Sequence, residues 1–398
     1  MASFEKTAQS MTAEGPGRVL PGVAMAAADS KGNTFYSNSF GFNDAGPVTV
    51  DTPMWIASCT KLMTSTAALQ CIEKGLFSLD EPVDRILPEL SDLELLCGFD
   101  GATGEPLIGK AKKKITFRHL VTHTSGLAYD VFNPDIIRWR EYHGIAPITG
   151  ISKITEHVWP LLFEPGEGWV YGPGLDWAGK AVERVNGGIS LEEYMKTHIW
   201  DPLGMRHTTF RPSQDRYILE NKAEPTKRAP NGGLTTVADS LWPPLEAVDD
   251  YGGSGAYSTV SEYIKILISI LKNDEKLLRP KTVSKMFEPQ MTDVAPLSKT
   301  LQSPIWEPGI TNGLTGKTTW NHGLGGLLAT EETPNRRSKG TMNWSGLPNL
   351  AWWIDRERGT CGLCATQLLD YGDAQFLSLF SQFEAMIFQQ SGTRGDRE

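Results

Sequence analysis

The chain has 398 residues, 40% of them hydrophobic and 21% charged, with a formal net charge of -9. That is the profile of a soluble globular protein with enough chain for one large domain or two to three smaller ones, and for a core that needs no staples. An acidic surface repels phosphate backbones and anionic lipid, which argues against nucleic-acid and membrane partners.

The chain opens without an apolar core long enough for a signal peptide. No later stretch approaches the ~20 apolar residues of a membrane span, so a soluble, cytoplasmic protein is expected. Segment 23–28 is apolar, 29–33 reads as a turn and 34–41 mixes aromatic and small residues, which predicts a hairpin. A helix follows from Ser58, with Leu62, Leu69 and Ile72 on one face and Gly75 as its stop. Segment 98–114 is a glycine- and lysine-containing excursion. Leu175, Ala178, Val182 and Val185 mark a second amphipathic helix. Strands are expected at 325–329, 349–355 and 359–367, then a last helix over 373–388 with a frayed tail at 391–398. Strands at both ends and helices between them predict an α/β class: an antiparallel sheet flanked by helices, built from 1–85 and 270–398. A mostly helical lobe, 86–269, is inserted, with the active site between the two.

The five cysteines are too few and odd in number for a disulfide framework, which fits a reducing compartment. Cys361-Gly-Leu-Cys364 is a C-x-x-C, but positions three apart on a strand point to opposite faces, so these read as buried structural cysteines.

Ser58-Cys-Thr-Lys61 matches S-x-x-K, as does Ser3-Phe-Glu-Lys6 near the terminus. At the start of a helix, unpaired N–H groups favour a developing oxyanion, and a lysine one turn on reaches the same face as the serine. Taken alone, the motif fits a capping serine and a solvated lysine equally well. A serine nucleophile needs a base, and a lysine serves only if burial or a nearby cation lowers its pKa from about 10.4. Tyr171 is a candidate proton carrier, although an isolated tyrosine is as readily a core residue. His119, His123 and His322 offer a rival triad. Gly252-Gly-Ser254-Gly-Ala256 comes near the G-x-S-x-G elbow but lacks its last glycine, and no H-E-x-x-H metal motif is present. No metal or cofactor is expected.

Ala57-Ser58-Cys-Thr-Lys61-Leu, 120–127 (Leu-Val-Thr-His-Thr-Ser-Gly-Leu), Tyr171-Gly-Pro and His322-Gly-Leu-Gly-Gly326 occur in the order of the landmarks of the class C β-lactamase-like serine hydrolases, which the chain resembles from about Gly22 to the last helix. Long stretches such as 67–76, 175–180 and 348–352 are similar to the fungal acyltransferases and esterases that handle statin side-chain esters. The resemblance implies a serine β-lactamase-like fold, Ser58 as nucleophile, and Lys61 and Tyr171 as proton-handling partners. It also implies an oxyanion hole from the backbone N–H groups of Ser58 and Gly325.

Two departures stand out. Pro173 replaces the polar residue two places after the tyrosine, and His322-Gly-Leu stands where β-lactamases carry K-T-G. Both point away from β-lactams and towards an uncharged, bulky ester. Tyr129, Asp130, Trp320, His322, Trp344 and Trp352 are the expected substrate-binding residues, with most of the other tryptophans in the core. The expected function is hydrolysis of the acyl ester of a statin-like polyketide through a Ser58 acyl-enzyme. The alternatives are transfer of an acyl group from a thioester to a polyketide alcohol, a β-lactamase or D-amino peptidase, and an inactive binding protein of the same fold. The expected partner is a small-molecule ester, and a carrier-protein donor is disfavoured because such domains are usually acidic, as this chain is.

Overall fold

In the computed structural model all residues are described except 16, 45, 148–151, 238–246, 304–305, 307, 315, 370 and 396–398, with backbone alone for 391–395. In chain order the main elements are α1 (Ala2–Thr12), β1 (Val23–Asp29), β2 (Thr34–Phe40), α2 (Thr60–Glu73), α3 (Gly174–Val185), α4 (Val260–Lys272), β3 (Trp320–His322), β4 (Leu327–Ala329), β5 (Met342–Gly346), β6 (Leu350–Asp355), β7 (Thr360–Ala365) and α5 (Ala374–Gly395).

Six of the seven β1 residues, Val-Ala-Met-Ala-Ala-Ala, are buried. A strand covered on both faces reads as a continuous apolar run rather than an alternation. The turn into β2 is fixed by Asp29, whose carboxylate accepts the N–H groups of Lys31 and Asn33. The seven strands lie in the order β3-β4-β5-β6-β7-β1-β2, every pair antiparallel. The sheet therefore joins the two ends of the chain, as expected.

Successive side chains of β1, β6 and β7 face different cores. Val23, Met25 and Ala27 of β1 and Ala351 and Trp353 of β6 pack with α1 and α5, around Phe4, Phe380 and Phe383. Ala24, Ala26, Leu350 and Trp352 face the larger core, which holds α2, α3 and α4. Cys361 belongs to the second of these cores and Cys364 to the first, as their three-residue spacing requires.

The helix expected to be amphipathic is not. Every residue of α2 from Thr60 to Cys71 is buried, because the helix lies inside the larger core and packs closely on α3. Its buried threonines find backbone partners: Thr66 donates to Leu62 O at 2.8 Å, Thr64 donates to Gly252 O at 2.6 Å, and Thr60 accepts from the Ala256 N–H at 3.2 Å. The excursion at 98–114 includes most of a hairpin, Glu94–Phe99 paired with Pro106–Lys110. Helix α4 packs on β1, β6 and β7, so the boundary expected at 269/270 cuts a helix that belongs with the sheet. Helix α1 and the short strands β3 and β5 were not expected, and α5 continues to Gly395, beyond the start of the expected frayed tail. Residues 396–398 of that tail lie outside the described residues. Among the described residues no helix is long and apolar enough to cross a membrane.

Candidate active site

Ser58 sits at a forced turn. Met54–Trp55 pairs with Tyr257–Ser258, and the chain then reverses through Ala57 at φ +42° into a short 3-10 segment, Ala57–Cys59, that runs into α2. A non-glycine residue at positive φ costs about 1–3 kcal/mol and persists only where its surroundings impose it. The strain turns the Ser58 hydroxyl out of the helix entrance, into a cavity of ≈ 220 Å³.

Strand β5 borders the same turn. A Cβ on Gly346 would come within 2.5 Å of Ile56 O, so only glycine lets the strand end lie alongside the residues that lead into Ser58. Trp344, Ser345 and Leu347, which flank that glycine, line the cavity.

Tyr171 arrives from the opposite side. The Tyr171-Gly-Pro-Gly174 stretch is threaded tightly: a Cβ at Gly172 would lie 1.9 Å from Leu127 O, and one at Gly174 2.2 Å from Leu120 O. Pro173 is the N-cap of α3. The landmark at 120–127 and the tyrosine landmark are thus two sides of one backbone contact.

Ser58 Oγ lies 2.5 Å from Tyr171 Oη and 3.3 Å from Lys61 Nζ. Lys61 also donates to Gly253 O at 2.7 Å and to Tyr129 Oη at 3.3 Å, and its ammonium sits 4.6 Å above the Tyr171 ring. Asp176, on the first turn of α3, accepts the Gly253 N–H at 2.8 Å and the Tyr129 hydroxyl at 3.2 Å.

Burial draws the Lys61 ammonium down to about 7, against the charge of Asp176, which works to raise it. Burial holds Tyr171 far above the usual phenol range, with hydrogen bonds from Ser58 and Trp344 offsetting only part of the effect. At neutral pH the constellation therefore contains an amine that can be uncharged, a phenol that keeps its proton, and a serine hydroxyl in contact with both.

The cavity walls are mainly aromatic and aliphatic: Trp55, Phe132, Trp306, Ile310, Trp344 and Leu347 surround Ser58. Trp306 meets Tyr171 edge-on at 4.9 Å and Phe132 at 5.3 Å. The polar exceptions include Ser254 and a hydrogen-bonded pair, Ser345 Oγ and Tyr371 Oη, 2.8 Å apart.

Of the expected substrate contacts, Tyr129 and Trp344 line the cavity and four do not. Asp130 is buried and ion-paired with Arg140 at 3.5 Å. Trp320 and Trp352 are buried in the large core and do not line the cavity. His322 is buried behind Trp344, with ring centroids 5.6 Å apart, and its Nδ1 donates to Gly323 O at 2.6 Å. Burial pulls His322 down to about 4, so it carries no charge at neutral pH.

Gly325 also needs correcting. It faces Leu62, Met286 and Met342 in the core, because the β3–β4 hairpin turns there rather than beside Ser58. The strand along the nucleophile is β5, and Trp344-Ser345-Gly346 holds the place that the sequence reading gave to His322-Gly-Leu. The sequence reading also missed Asp176, Gly253, Phe132, Trp306 and Tyr371. The glycine-rich 252–256 stretch was a usable signal, but it was tested only as a nucleophile elbow.

The fold and this constellation define a serine hydrolase: the chain belongs to the Beta-lactamase family, whose model matches residues 6–377. Within that family it is 38% identical over 388 residues to monacolin J acid methylbutanoyltransferase of Aspergillus terreus, a match covering 94% of this chain and 92% of that protein. It is 36% identical over 358 residues to lovastatin esterase of Penicillium rubens, covering 87% and 89% respectively. The structure of unliganded simvastatin synthase from Aspergillus terreus matches with a TM-score of 0.88 at 35% identity, covering 98% of each chain. The chain is thus an enzyme whose relatives include both acyltransferases and esterases.

Proposed function

We propose that the protein is a serine esterase that cleaves the acyl side-chain ester of a statin-like polyketide through an acyl-enzyme on Ser58. The observation that carries this reading is the contact of one serine hydroxyl with both a buried lysine and a buried tyrosine, at the floor of an aromatic cavity.

In the reactive state the Tyr171 phenol donates to Ser58 Oγ, and the Ser58 hydroxyl donates to the neutral Lys61 amine. Ser58 Oγ attacks the ester carbonyl and Lys61 takes its proton. In this reading the tetrahedral oxyanion is held by the Ser58 N–H and, in place of Gly325, by a backbone N–H just past the end of β5, where Leu347 lines the cavity. Each such donor is typically worth about 10²–10³ in rate. As the ester C–O bond breaks, the proton passes from Lys61 through Tyr171 to the departing alcohol oxygen. Water repeats the cycle on the acyl-enzyme and frees the acid.

Lovastatin with the protein in buffer, followed by mass, tests this. Release of the side-chain acid and the deacylated alcohol supports the esterase. A second reading, transfer to an alcohol, draws support from the mainly apolar cavity wall, which offers few groups to hold water. It predicts that the deacylated alcohol is acylated when an acyl thioester is added. No change in either tube contradicts the statin-like substrate.

A small-molecule ester is the partner this reading requires. A carrier-protein donor is not part of it. Five cysteines, none in a disulfide, fit a reducing cytoplasmic compartment.

A further inference from the structure

The acyl-enzyme reading leaves unused a buried carboxylate close to Lys61. Asp176 is 1% exposed, is not itself a cavity-lining residue, and makes no hydrogen bond to Ser58. Its two oxygens are separately committed, Oδ1 to the Gly253 N–H and Oδ2 to the Tyr129 hydroxyl. Each of those partners in turn accepts a hydrogen from Lys61, Gly253 through its carbonyl and Tyr129 through its phenol oxygen. The four residues close a ring: Lys61, Gly253, Asp176, Tyr129.

The ring constrains the proton count. A carboxylate only accepts, so Tyr129 must spend its single hydrogen on Asp176 and can only accept from Lys61. The Gly253 carbonyl has no hydrogen to give. A neutral amine has two N–H bonds and one lone pair. With both hydrogens assigned to Gly253 and Tyr129, the lone pair faces the one remaining neighbour, Ser58 Oγ, which lies 3.3 Å away.

We propose that Asp176 is a positioning residue for the base: through Gly253 and Tyr129 it assigns the two hydrogens of the Lys61 amine and directs its lone pair at Ser58. The local sequence is built for this. A Cβ on Gly253 would come within 2.7 Å of both Asp176 Oδ2 and Tyr129 Oη, so only glycine lets the backbone pass between them. Gly252 is held next to it, its carbonyl accepting from Thr64 on α2 at 2.6 Å.

The proposal rests on the Ser58 reading and adds a pH signature to it. The groups facing Lys61 are Asp176 from α3, the phenols of Tyr129 and Tyr171, Cys59 beside it, and His123 and His322 across a small void. Burial keeps both histidines uncharged at neutral pH, and holds the thiol and the phenols protonated. Burial raises the Asp176 carboxyl too, opposed by the Lys61 charge and by the hydrogen bonds from Gly253 and Tyr129 that favour its ionised form; as the carboxylate it is the neighbour whose charge supports the ammonium. Removing that charge makes Lys61 harder to protonate.

The test is the pH dependence of kcat/KM on a soluble ester for wild type and Asp176→Asn, with active sites counted by fluorophosphonate labelling. In Asp176→Asn the midpoint of the rise is expected to move to lower pH by about one unit or more. Normalised kcat is expected to drop by about tenfold or more, as the lone pair loses its direction, with KM little changed. A variant whose midpoint and normalised kcat both match wild type overturns the proposal, while labelling of its Ser58 keeps the acyl-enzyme reading intact. If Asp176→Asn does not fold, Tyr129→Phe carries the test. It removes one acceptor of the ammonium, so its midpoint also falls, and an unmoved midpoint overturns the proposal.

Discussion

Ser58→Ala is expected to reduce kcat/KM on any ester substrate by about 10⁴-fold or more, with the fold unchanged. The size follows from what the side chain does in the proposed cycle. Without the hydroxyl no covalent intermediate forms, and Lys61 and Tyr171 have no oxygen between them to deprotonate. The residual rate is what the cavity and the backbone donors contribute alone. The fold should survive because Ser58 makes no side-chain contact that holds the core together. Its partners are the two proton carriers, at 3.3 and 2.5 Å. Steady-state rates, with a thermal melt as control, check this. A variant that keeps wild-type turnover removes Ser58 from the chemistry.

Lys61→Arg is expected to cost about 10²–10⁴ in kcat/KM although it keeps the positive charge, that range being the typical worth of general acid–base catalysis. A guanidinium has no lone pair to offer and stays protonated in proteins, so it can hold the same carbonyl and phenol but cannot take the serine proton. The wild-type pH profile makes the same point from the other side. A base works only when neutral, and burial brings the Lys61 ammonium down to about 7. Activity should therefore be full above pH 7 and be lost as pH falls through about 7, tenfold per unit below it. A free lysine near 10.4 would leave the enzyme inactive at neutral pH. A profile that rises only above pH 9 would contradict a buried, neutral base.

How much of this was legible in the sequence depends on range along the chain. The S-x-x-K spacing is one helical turn, so its consequence for Ser58 and Lys61 follows from local geometry, as does the two-faced placement of Cys361 and Cys364. The sheet formed from both ends was visible because three of its strands, β1, β6 and β7, are buried, mainly apolar runs. Strand β5 was missed although Met-Asn-Trp-Ser alternates apolar and polar residues, because the alternation runs for four residues only and ends at a glycine, and missing it put the oxyanion donor on Gly325. Strand β3 has three residues, too few to show any pattern.

Tryptophan count alone could not separate wall from core. Trp344 lines the cavity and its cross-strand partner Trp352 is fully buried in the large core. Asp176 was invisible for a different reason. Its partners are 47 and 77 residues away, and nothing in the local pattern Gly-Leu-Asp-Trp distinguishes a buried carboxylate from one in the exposed first turn of a helix.

The central claim is that Ser58 carries the acyl group. The direct measurement is the mass of the intact protein, quenched in acid during turnover of an activated ester, followed by peptide mapping. An adduct equal to the acyl group, located on the Ser58 peptide and absent from Ser58→Ala, is the predicted result. Turnover with no adduct at any quench time, or an adduct that persists in Ser58→Ala, would contradict it.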